Sequence, residues 1–358
     1  MDRLNVAAFR IPTDAPESDG TFVWNSTTLV VVDVEAAGVR GYGYSYADLA
    51  TATLIRDTLA RLVVGRDAMA VPGVWAALVA EVRNVGRRGI ASMAISAIDN
   101  ALWDLKARLL DLPLVTLLGL VRERVPVYGS GGFTSYDVGR LEAQLGDWVE
   151  SGIRRVKMKV GRAPAADVAR VHAARKAIGP DAELFVDANG AYSRKQALAF
   201  AEAFAEAGVS WFEEPVSSDD LDGLRLLRDR APAGMDITAG EYGYELFYFE
   251  RMLAAGAVDV LQADATRCAG ITGFLQAGAL CEAFGMPLSS HTAPALHVHP
   301  GCALGRVRHL EYFHDHARIE RMLFDGAREP VDGALAPDLS RPGLGLELKR
   351  ADASRYAL

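Results

Sequence analysis

Three acidic residues stand at nearly regular intervals in the chain, and each ends a short apolar run: Asp187, Glu213 and Glu241. They are spaced 26 and 28 residues apart. One strand plus one helix takes about 30 residues in a βαβ unit, so three successive parallel strands would each bring one carboxylate to the same end. Carboxylate oxygens are hard ligands, so three of them converging at one place predict a site for Mg²⁺ or a similar cation.

A pair of lysines, Lys157 and Lys159, stands one strand-and-helix unit earlier. Residues two apart on a strand share a face, so both ammonium groups should point the same way. If that way is inward, their mutual repulsion makes one of them easier to deprotonate. A lysine with a lowered pKa is a usable general base.

A histidine and an aspartate predict a second acid/base group. His291 follows Asp264 by 27 residues, so adjacent strands would place the carboxylate beside the imidazole. A carboxylate in that position sets the tautomer of the ring and raises its basicity. Asn189 shares a strand face with Asp187, and Glu311 lies in the last predicted strand. Glu214, next to Glu213, is expected to point away from the metal.

The elements that must position these residues fall into two patterns. Residues 1–120 contain strands followed by helices, which indicates an α+β domain. Its segment 11–25, rich in Pro, Asp, Thr and Gly, is predicted to be a long loop that covers the substrate. Within this segment, Phe22 and Trp24 either pack the domain on its neighbour or cover the substrate.

Residues 121–325 alternate between strand-like and helical stretches, which is typical of a closed (β/α)₈ TIM-type barrel. Eight strands are predicted: Val125–Ser130, Arg155–Lys159, Leu184–Asp187, Ser210–Glu213, Ile237–Glu241, Asp259–Asp264, Pro287–His291 and Arg308–Tyr312. We expect active-site residues at the carboxyl ends of such strands. The Pro- and Gly-rich segment 326–358 is expected to return to the first domain.

Composition excludes several classes of function. The formal net charge is −8, the pI is about 5.5, and no run of Lys or Arg occurs, which argues against a nucleic-acid partner. Three cysteines without CxxC spacing suit a reducing compartment. We find no signal-peptide pattern and no apolar stretch near the ~20 residues of a membrane helix, so we expect a soluble, cytoplasmic protein without a membrane partner.

Taken together, these motifs resemble the mandelate racemase subgroup of the enolase superfamily over essentially the whole chain. The resemblance is carried by Lys157-Met158-Lys159, Asp187-Ala188-Asn189-Gly190, Glu213-Glu214-Pro215, Gly240-Glu241, Gln262-Ala263-Asp264, Thr266-Arg267-Cys268-Ala269-Gly270-Ile271-Thr272, Ser290-His291 and Glu311. It implies a modified (β/α)₈ barrel with an α+β capping domain, and a homo-oligomer.

The resemblance also assigns roles to the candidate residues. Asp187, Glu213 and Glu241 would bind Mg²⁺. Lys159 would be one base, and His291 paired with Asp264 would be the other. Lys157 and Asn189 would hold the substrate carboxylate, and Glu311 would act as an electrophilic acid on it. Lys or His bases beside Mg²⁺ are the known arrangement of this superfamily, so this pairing comes with the resemblance.

The function implied is Mg²⁺-dependent removal of the α-proton of a small hydroxy-carboxylate to give an enediolate. We favour dehydration of an acid sugar, because the stretch Asp264-Ala265-Thr266-Arg267-Cys268 is similar to that of sugar-acid members and segment 11–25 carries polar groups suited to hydroxyls. Racemisation or epimerisation of a 2-hydroxy acid by the same residues is the alternative.

Two alternatives come from other classes of protein. A zinc hydrolase barrel would use HxH pairs, which occur here as His297-Val298-His299 and His314-Asp315-His316. Because both pairs fall late in the barrel, we interpret them as loop histidines. The second alternative is an inactive metal-binding scaffold, against which the complete set of acids and bases argues.

Overall fold

A computed structural model describes all 358 residues. The N-terminal part is an antiparallel sheet in the order β1-β2-β3, followed by helices, as predicted. Its strands are β1 (Arg3–Ser18), β2 (Val23–Ala36) and β3 (Val39–Tyr46). Its helices are α1 (Leu49–Leu54), α2 (Val71–Glu81), α3 (Ile90–Leu109) and α4 (Leu114–Leu118), with a π-helical turn at Ile55–Leu59 and 3₁₀ turns at Ala60–Leu62 and Val82–Asn84.

Two glycines of β3 let α3 lie directly on the sheet of this cap. Gly41 and Gly43 face the helix, and a Cβ atom at Gly43 would collide with the backbone of Ala97 and Ala101. The helix in turn buries a continuous apolar side that includes Ile95 and Leu102. Close backbone approach therefore explains why glycine stands at these positions in a strand.

The second part is a closed parallel barrel of eight strands, and this confirms the predicted fold. Neighbouring strands pair in chain order, and the last pairs with the first. The strands are β4 (Val125–Gly131), β5 (Arg155–Lys159), β6 (Glu183–Asp187), β7 (Val209–Glu213), β8 (Asp236–Ala239), β9 (Val260–Ala263), β10 (Leu288–Ser290) and β11 (Val307–Phe313).

A helix follows each barrel strand and packs outside it. These helices are α5 (Val138–Glu150), α6 (Pro164–Ile178), α7 (Arg194–Glu206), α8 (Leu221–Arg230), α9 (Leu246–Ala254), α10 (Gly270–Phe284), α11 (Pro294–Ala303) and α12 (His314–Leu323). No helix in the structure has both the length and the apolar character needed to cross a membrane.

Three predicted strands end earlier than expected. Glu241, Asp264 and His291 lie just beyond β8, β9 and β10 and not within them. After β8 the reason is Gly240, whose φ of 138° turns the chain where a Cβ would collide with the backbone of Gln262. An apolar run read from sequence does not report such a turn.

Aromatic side chains fill the barrel below its polar mouth. Phe185 and Trp211 stack with ring centroids 5.1 Å apart, and Tyr128 lies edge-on to His309 at 4.8 Å. All four side chains are buried. This floor closes the interior from one side, so that the polar strand ends above it open only toward the cap.

The prediction that segment 11–25 is a long loop is wrong. β1 continues to Ser18, β2 begins at Val23, and the two strands form a hairpin that is irregular between Pro12 and Glu17. The side chain of Asp19 accepts hydrogen bonds from the backbone of Thr21 and Phe22 and thereby closes the turn. Cross-strand pairing outweighs the local preference of Pro and Asp for loops.

The C-terminal segment runs back along the first domain. It contains the short elements β12 (Phe324–Asp325), β13 (Ala334–Leu335), β14 (Glu347–Leu348), α13 (Arg350–Ala353) and a 3₁₀ turn at Ser354–Tyr356. The backbone N–H of Leu344 donates to buried Asp104 of α3 at 2.6 Å, and that of Leu358 donates to the carbonyl of Ala8 at 3.0 Å. The division of the chain at residues 120 and 325 remains a prediction.

A buried glutamate joins the cap to the barrel. Glu320 of α12 accepts a hydrogen bond from the hydroxyl of Tyr44 in β3 at 2.6 Å and another from the backbone of Ala295 at 3.0 Å. Burial raises the pKa of Glu320 from 4.5 to about 8, although both hydrogen bonds favour its ionised form. Burial, which favours the protonated carboxyl, therefore outweighs the two hydrogen bonds at this joint.

We expect Gly43→Ala to destabilise the fold by about 1–3 kcal/mol, because overpacking forces α3 away from the sheet. Gly73→Ala in α2 is the matched control, since nothing lies within 4 Å of a Cβ there. Urea denaturation of both variants measures the effect. Equal stability of the two variants would contradict the close packing described.

We expect Glu320→Gln to flatten the dependence of stability on pH between about pH 5 and 8. The native state holds a proton there that the unfolded chain releases, so wild-type stability falls as pH rises through this window. The amide does not titrate and removes that contribution. Glu202→Gln at an exposed site of α7 serves as control, and unfolding at several pH values is the measurement. Parallel profiles for wild type and Glu320→Gln would refute the assignment.

Candidate metal and proton-transfer site

Three carboxylates converge at the mouth of the barrel, as predicted. Asp187 and Glu213 end neighbouring strands and stand opposite each other in register, while Glu241 enters from the turn after β8. All three are buried, and their ligand atoms lie within 4.8 Å of one another. The parallel register of the barrel is what brings together residues far apart in sequence.

Both lysines of β5 point into this acidic cluster. The ammonium of Lys157 lies 2.5 Å from Glu213, 2.8 Å from Glu311 and 3.5 Å from Asp187, and it has no exposed surface. Lys159 pairs with Asp187. The shared direction of the two lysines is confirmed, whereas a contact of Lys157 with substrate stays a prediction.

The prediction that crowding lowers the pKa of one lysine is wrong for these contacts. Burial acts to lower the pKa of Lys159, and so does Lys157, but the carboxylates raise it above its ordinary value, Asp187 most of all. The pKa of Lys157 is raised in the same way by Glu213 and Glu311. Attraction to several acids outweighs one repulsion between ammonium groups.

The donor set fits a divalent cation. Burial acts to raise the pKa of Asp187, but Lys159 and Lys157 lower it below its ordinary value, which favours a metal-binding carboxylate. Glu241 Oε2 is buried without a hydrogen-bond partner, although the ring of His291 lies 3.3 Å away. Oxygen-only donors around one point suit a hard cation such as Mg²⁺. Asp187, Glu213 and Glu241 are the residues that could hold it.

His291 stands on the other flank of the cluster with its orientation set by Asp264. Its Nδ1 lies 2.8 Å from Asp264 Oδ2, and its Nε2 faces Glu241. Burial acts to raise the pKa of Asp264, yet the hydrogen bond from His291 holds it below its ordinary value. An ionised Asp264 only accepts, so Nδ1 carries the hydrogen of this contact, and Nε2 is the nitrogen on the side of Glu241.

The first HxH pair does not form a metal site, and in the second pair only His314 lies in a group of possible metal ligands, together with Asp14 and Glu17. The interpretation of these residues as loop histidines is wrong. His297 and His299 lie in α11, and His314 and His316 begin α12. His297 accepts a hydrogen bond from the backbone of Ala265 at 2.8 Å, whereas His299 contacts the backbone of Val115 and Leu344. The first pair therefore points to two different places, and His297 braces the turn that carries Asp264.

Glu311 and Asn189 complete the predicted set. Glu311 lies between Lys157 and the backbone N–H of Thr292, which donates to it at 2.8 Å. Burial acts to raise its pKa, but Lys157 holds the pKa below the ordinary value, so these contacts favour the anion. Its role as an acid stays a prediction. Asn189 adopts a left-handed φ of 47°, and its buried Oδ1 has no partner.

A cavity of about 430 Å³ lies between this cluster and the cap. Lys159, Glu241 and His291 line it from the barrel. Trp24 and other residues of the β1–β2 hairpin line it from the cap. Trp24 Nε1 donates to buried Glu17 at 2.7 Å and packs edge-on to Phe133, so this residue both covers the cavity and joins the two parts.

Sequence reasoning assigned no role to Arg267. Its guanidinium lies 3.3 Å from Glu241 Oε1 and 3.7 Å from Asp264 Oδ2, and it packs over the ring of Tyr242. It thus links the metal-binding cluster to the His291–Asp264 pair. Its position three residues after Asp264, in the turn that leads into the next helix, could have indicated from the sequence that it lies near the site.

Comparison with known proteins agrees with this geometry. One family profile, the mandelate racemase/muconate lactonizing enzyme N-terminal domain, matches residues 10–119. A second, described as enolase C-terminal domain-like, matches residues 140–353. A 3,6-anhydro-alpha-L-galactonate cycloisomerase from Streptomyces coelicolor is 34% identical over 100% of this chain and 99% of its own length.

Solved structures share the whole architecture. A mandelate racemase/muconate lactonizing enzyme-like protein from Rubrobacter xylanophilus is 56% identical, with a TM-score of 0.98 over 100% of this chain and 99% of that one. An L-talarate dehydratase from Polaromonas sp. JS666, complexed with Mg and L-glucarate, is 30% identical, with a TM-score of 0.90 over 100% and 97% of the two chains. This chain therefore belongs to the mandelate racemase/muconate lactonizing enzyme family of the enolase superfamily.

Proposed function

We propose that this chain is a Mg²⁺-dependent enzyme that removes the α-proton of a hydroxy-carboxylate and dehydrates an acid sugar. Asp187, Glu213 and Glu241 hold the cation. The named relatives support the reaction class, because they include acid-sugar dehydratases and cycloisomerases, and one dehydratase structure contains Mg. Assembly into a homo-oligomer stays a prediction.

One observation carries the proposal: two different bases flank one carboxylate cluster. Lys159 reaches the cluster through Asp187, and His291 reaches it through Glu241. Both side chains also line the same cavity. A substrate carboxylate at the cluster would thus have its α-carbon within reach of a base on either side.

The chemistry requires charge stabilisation as well as a base. Removal of a proton next to a carboxylate gives a dianionic enediolate, which must be stabilised as it forms. The cation, when bound, supplies positive charge at the substrate carboxylate. Lys157 adds a buried ammonium below it, and Asn189 offers an amide at the rim of the cavity.

Dehydration follows if the opposite base serves as an acid. One base takes the α-proton, the C–O bond to the β-hydroxyl breaks, and the other group in its protonated form gives a proton to the departing hydroxyl. The products are water and an enol that becomes a 2-keto acid. His291 suits the acid role, because Asp264 stabilises the imidazolium that donates this proton.

Two related outcomes use the same first step. In cycloisomerisation the leaving oxygen belongs to the substrate's own ring, and the full-length match to a cycloisomerase favours this candidate. In racemisation or epimerisation the proton returns from the opposite face, which a base on each flank permits. A zinc hydrolase loses support, because His297 and His299 point to different places.

We expect removal of divalent cations to abolish α-proton exchange, and added Mg²⁺ to restore it. Binding should also raise the thermal midpoint, since a cation at 100 times its Kd stabilises the native state by about 2.7 kcal/mol. Exchange in D₂O followed by NMR, with and without EDTA, tests the first point, and thermal melting tests the second. Exchange that survives EDTA would contradict the assigned cation site.

We expect Lys159→Ala and His291→Ala each to abolish exchange from one face of the substrate only. Each variant removes one base and leaves the opposite one in place. The measurement is stereospecific deuterium uptake across a library of acid sugars and 2-hydroxy acids with Mg²⁺. Exchange with recovery of substrate indicates racemisation, and a keto-acid product indicates dehydration.

Exposed residues of α6 supply matched controls for these variants. Lys176→Ala and His172→Ala remove the same side-chain types far from the cavity and should leave exchange unchanged. If either variant lost deuterium uptake from both faces, the assignment of one base to each face would be wrong. An absence of uptake from every acid in the library would leave the inactive scaffold as the better description.

A further inference from the structure

The second HxH motif contains a histidine that lines the catalytic cavity. His316 lies in the first turn of α12, is only 8% exposed, and lines the same cavity as Lys159 and His291. Its neighbour in the motif, His314, pairs instead with Asp14 of the β1–β2 hairpin at 2.9 Å. The two histidines of the motif therefore lie in different surroundings, and the proposed reaction uses neither of them.

Aromatic rings fix the orientation of His316. Its imidazole stacks on Tyr46, at the end of β3 in the cap, with ring centroids 3.3 Å apart and the two planes inclined by 13°. Phe313 packs edge-on against the same imidazole at 5.0 Å. The hydroxyl of Tyr46 also donates to the backbone carbonyl of His316 at 3.3 Å. The side chain is thus held by the cap and the barrel together.

The imidazole of His316 has no hydrogen-bond partner within the protein. Its Nδ1 is fully buried and unpartnered. Its Nε2 makes no hydrogen bond to the protein either, but it is not among the fully buried atoms, so the accessible part of the ring includes this nitrogen. Because His316 lines the catalytic cavity, Nε2 is the nitrogen that a molecule in the cavity can reach.

No carboxylate pairs with His316, in contrast to His291. Burial lowers the pKa of His316 well below its ordinary value, and the charge of His291 acts in the same direction, whereas Asp264 acts to raise it. These surroundings favour the neutral ring, which has one N–H and one lone pair. A hydroxyl group pairs with either of them at Nε2, because it both donates and accepts, whereas a carboxylate only accepts.

The surroundings of His316 would hold a phenyl ring as well as an imidazole. Stacked and edge-on contacts form with any aromatic ring of similar size. A buried nitrogen without a partner, such as Nδ1, costs free energy that a phenyl ring would not. The accessible Nε2 is therefore the feature that distinguishes histidine favourably from phenylalanine here, and a binding role for this nitrogen accounts for the choice of residue.

We propose that His316 is a specificity residue whose Nε2 forms a hydrogen bond with a substrate hydroxyl beyond the β-carbon, on the cap side of the cavity. This inference rests on the proposed function, because the substrate carboxylate is taken to lie at the carboxylate cluster of the barrel. The α- and β-carbons then lie between Lys159 and His291, and the carbons that follow extend toward the cap. His316 takes no part in proton transfer.

The first test removes the imidazole and, separately, the substrate hydroxyls. It uses the best acid of at least four carbons from the deuterium-exchange library, its single-deoxy analogues from the γ-carbon onward, and glycerate, which ends at the β-carbon. The value of kcat/KM for exchange is measured on the Mg²⁺-loaded wild type and on His316→Phe. We expect the wild type to prefer the parent acid over one deoxy analogue by about 10-fold or more, and His316→Phe to reduce this ratio to less than about threefold.

The second test separates hydrogen bonding from packing. His316→Gln keeps a donor and an acceptor, and its ratio should lie between those of the wild type and His316→Phe. His172→Gln, at an exposed position of α6, is the matched control and should behave as the wild type. Without substrate, His316→Phe should melt at the same temperature as the wild type or higher, because it leaves no buried nitrogen unpartnered.

The outcomes distinguish a binding role from a structural one. The inference is overturned if His316→Phe keeps the wild-type ratio, or if it loses activity equally for the parent acid, every analogue and glycerate. A wild type that distinguishes none of the analogues overturns it as well, and so does a His316→Gln protein without any preference, should His316→Phe fail to fold. In each case exchange by the wild type leaves the proposed function intact. Failure of every acid to exchange would remove the proposed function together with this inference.

Discussion

Carboxylates buried at one end of a barrel must be neutralised within a few ångströms, and this constraint governs the rest of the structure. Asp187, Glu213 and Glu241 are all removed from water. An isolated ion in such a place would be strongly disfavoured, so each carboxylate needs a cation or a hydrogen-bond donor. Lys157 and Lys159 supply part of the opposite charge, and the geometry leaves room for a divalent cation to supply the remainder.

Because of the same constraint, the side chains on the two flanks of the site have different charged partners. On one flank, Lys159 pairs with Asp187; burial acts to lower the pKa of this lysine, and the carboxylate raises it. On the other flank, Asp264 anchors His291 through Nδ1, and Nε2 faces Glu241. His297 braces the turn that carries Asp264. Lys159 is therefore surrounded by the carboxylates of the cluster, whereas His291 belongs to a separate hydrogen-bond network.

The space for a substrate exists only because two structural parts meet. The barrel supplies the charged floor, and the β1–β2 hairpin of the cap supplies Trp24 and its neighbours above it. Glu320 and Tyr44 connect α12 to the cap through one buried hydrogen bond. Close packing of α3 on Gly41 and Gly43 fixes this helix against the sheet to which the hairpin belongs.

Local periodicity and the repeat length of a βαβ unit were enough to predict the alternation of strands and helices, the spacing of the three acids and the pairing of Asp264 with His291. The folded chain was needed to see that segment 11–25 continues a hairpin, that the lysines are surrounded by acids and that Arg267 bridges the two halves of the site. Strand pairing and the sum of neighbouring charges arise from residues distant along the chain. A local pattern of residue types therefore identifies the residues of the site, but it does not show how their charges act on one another.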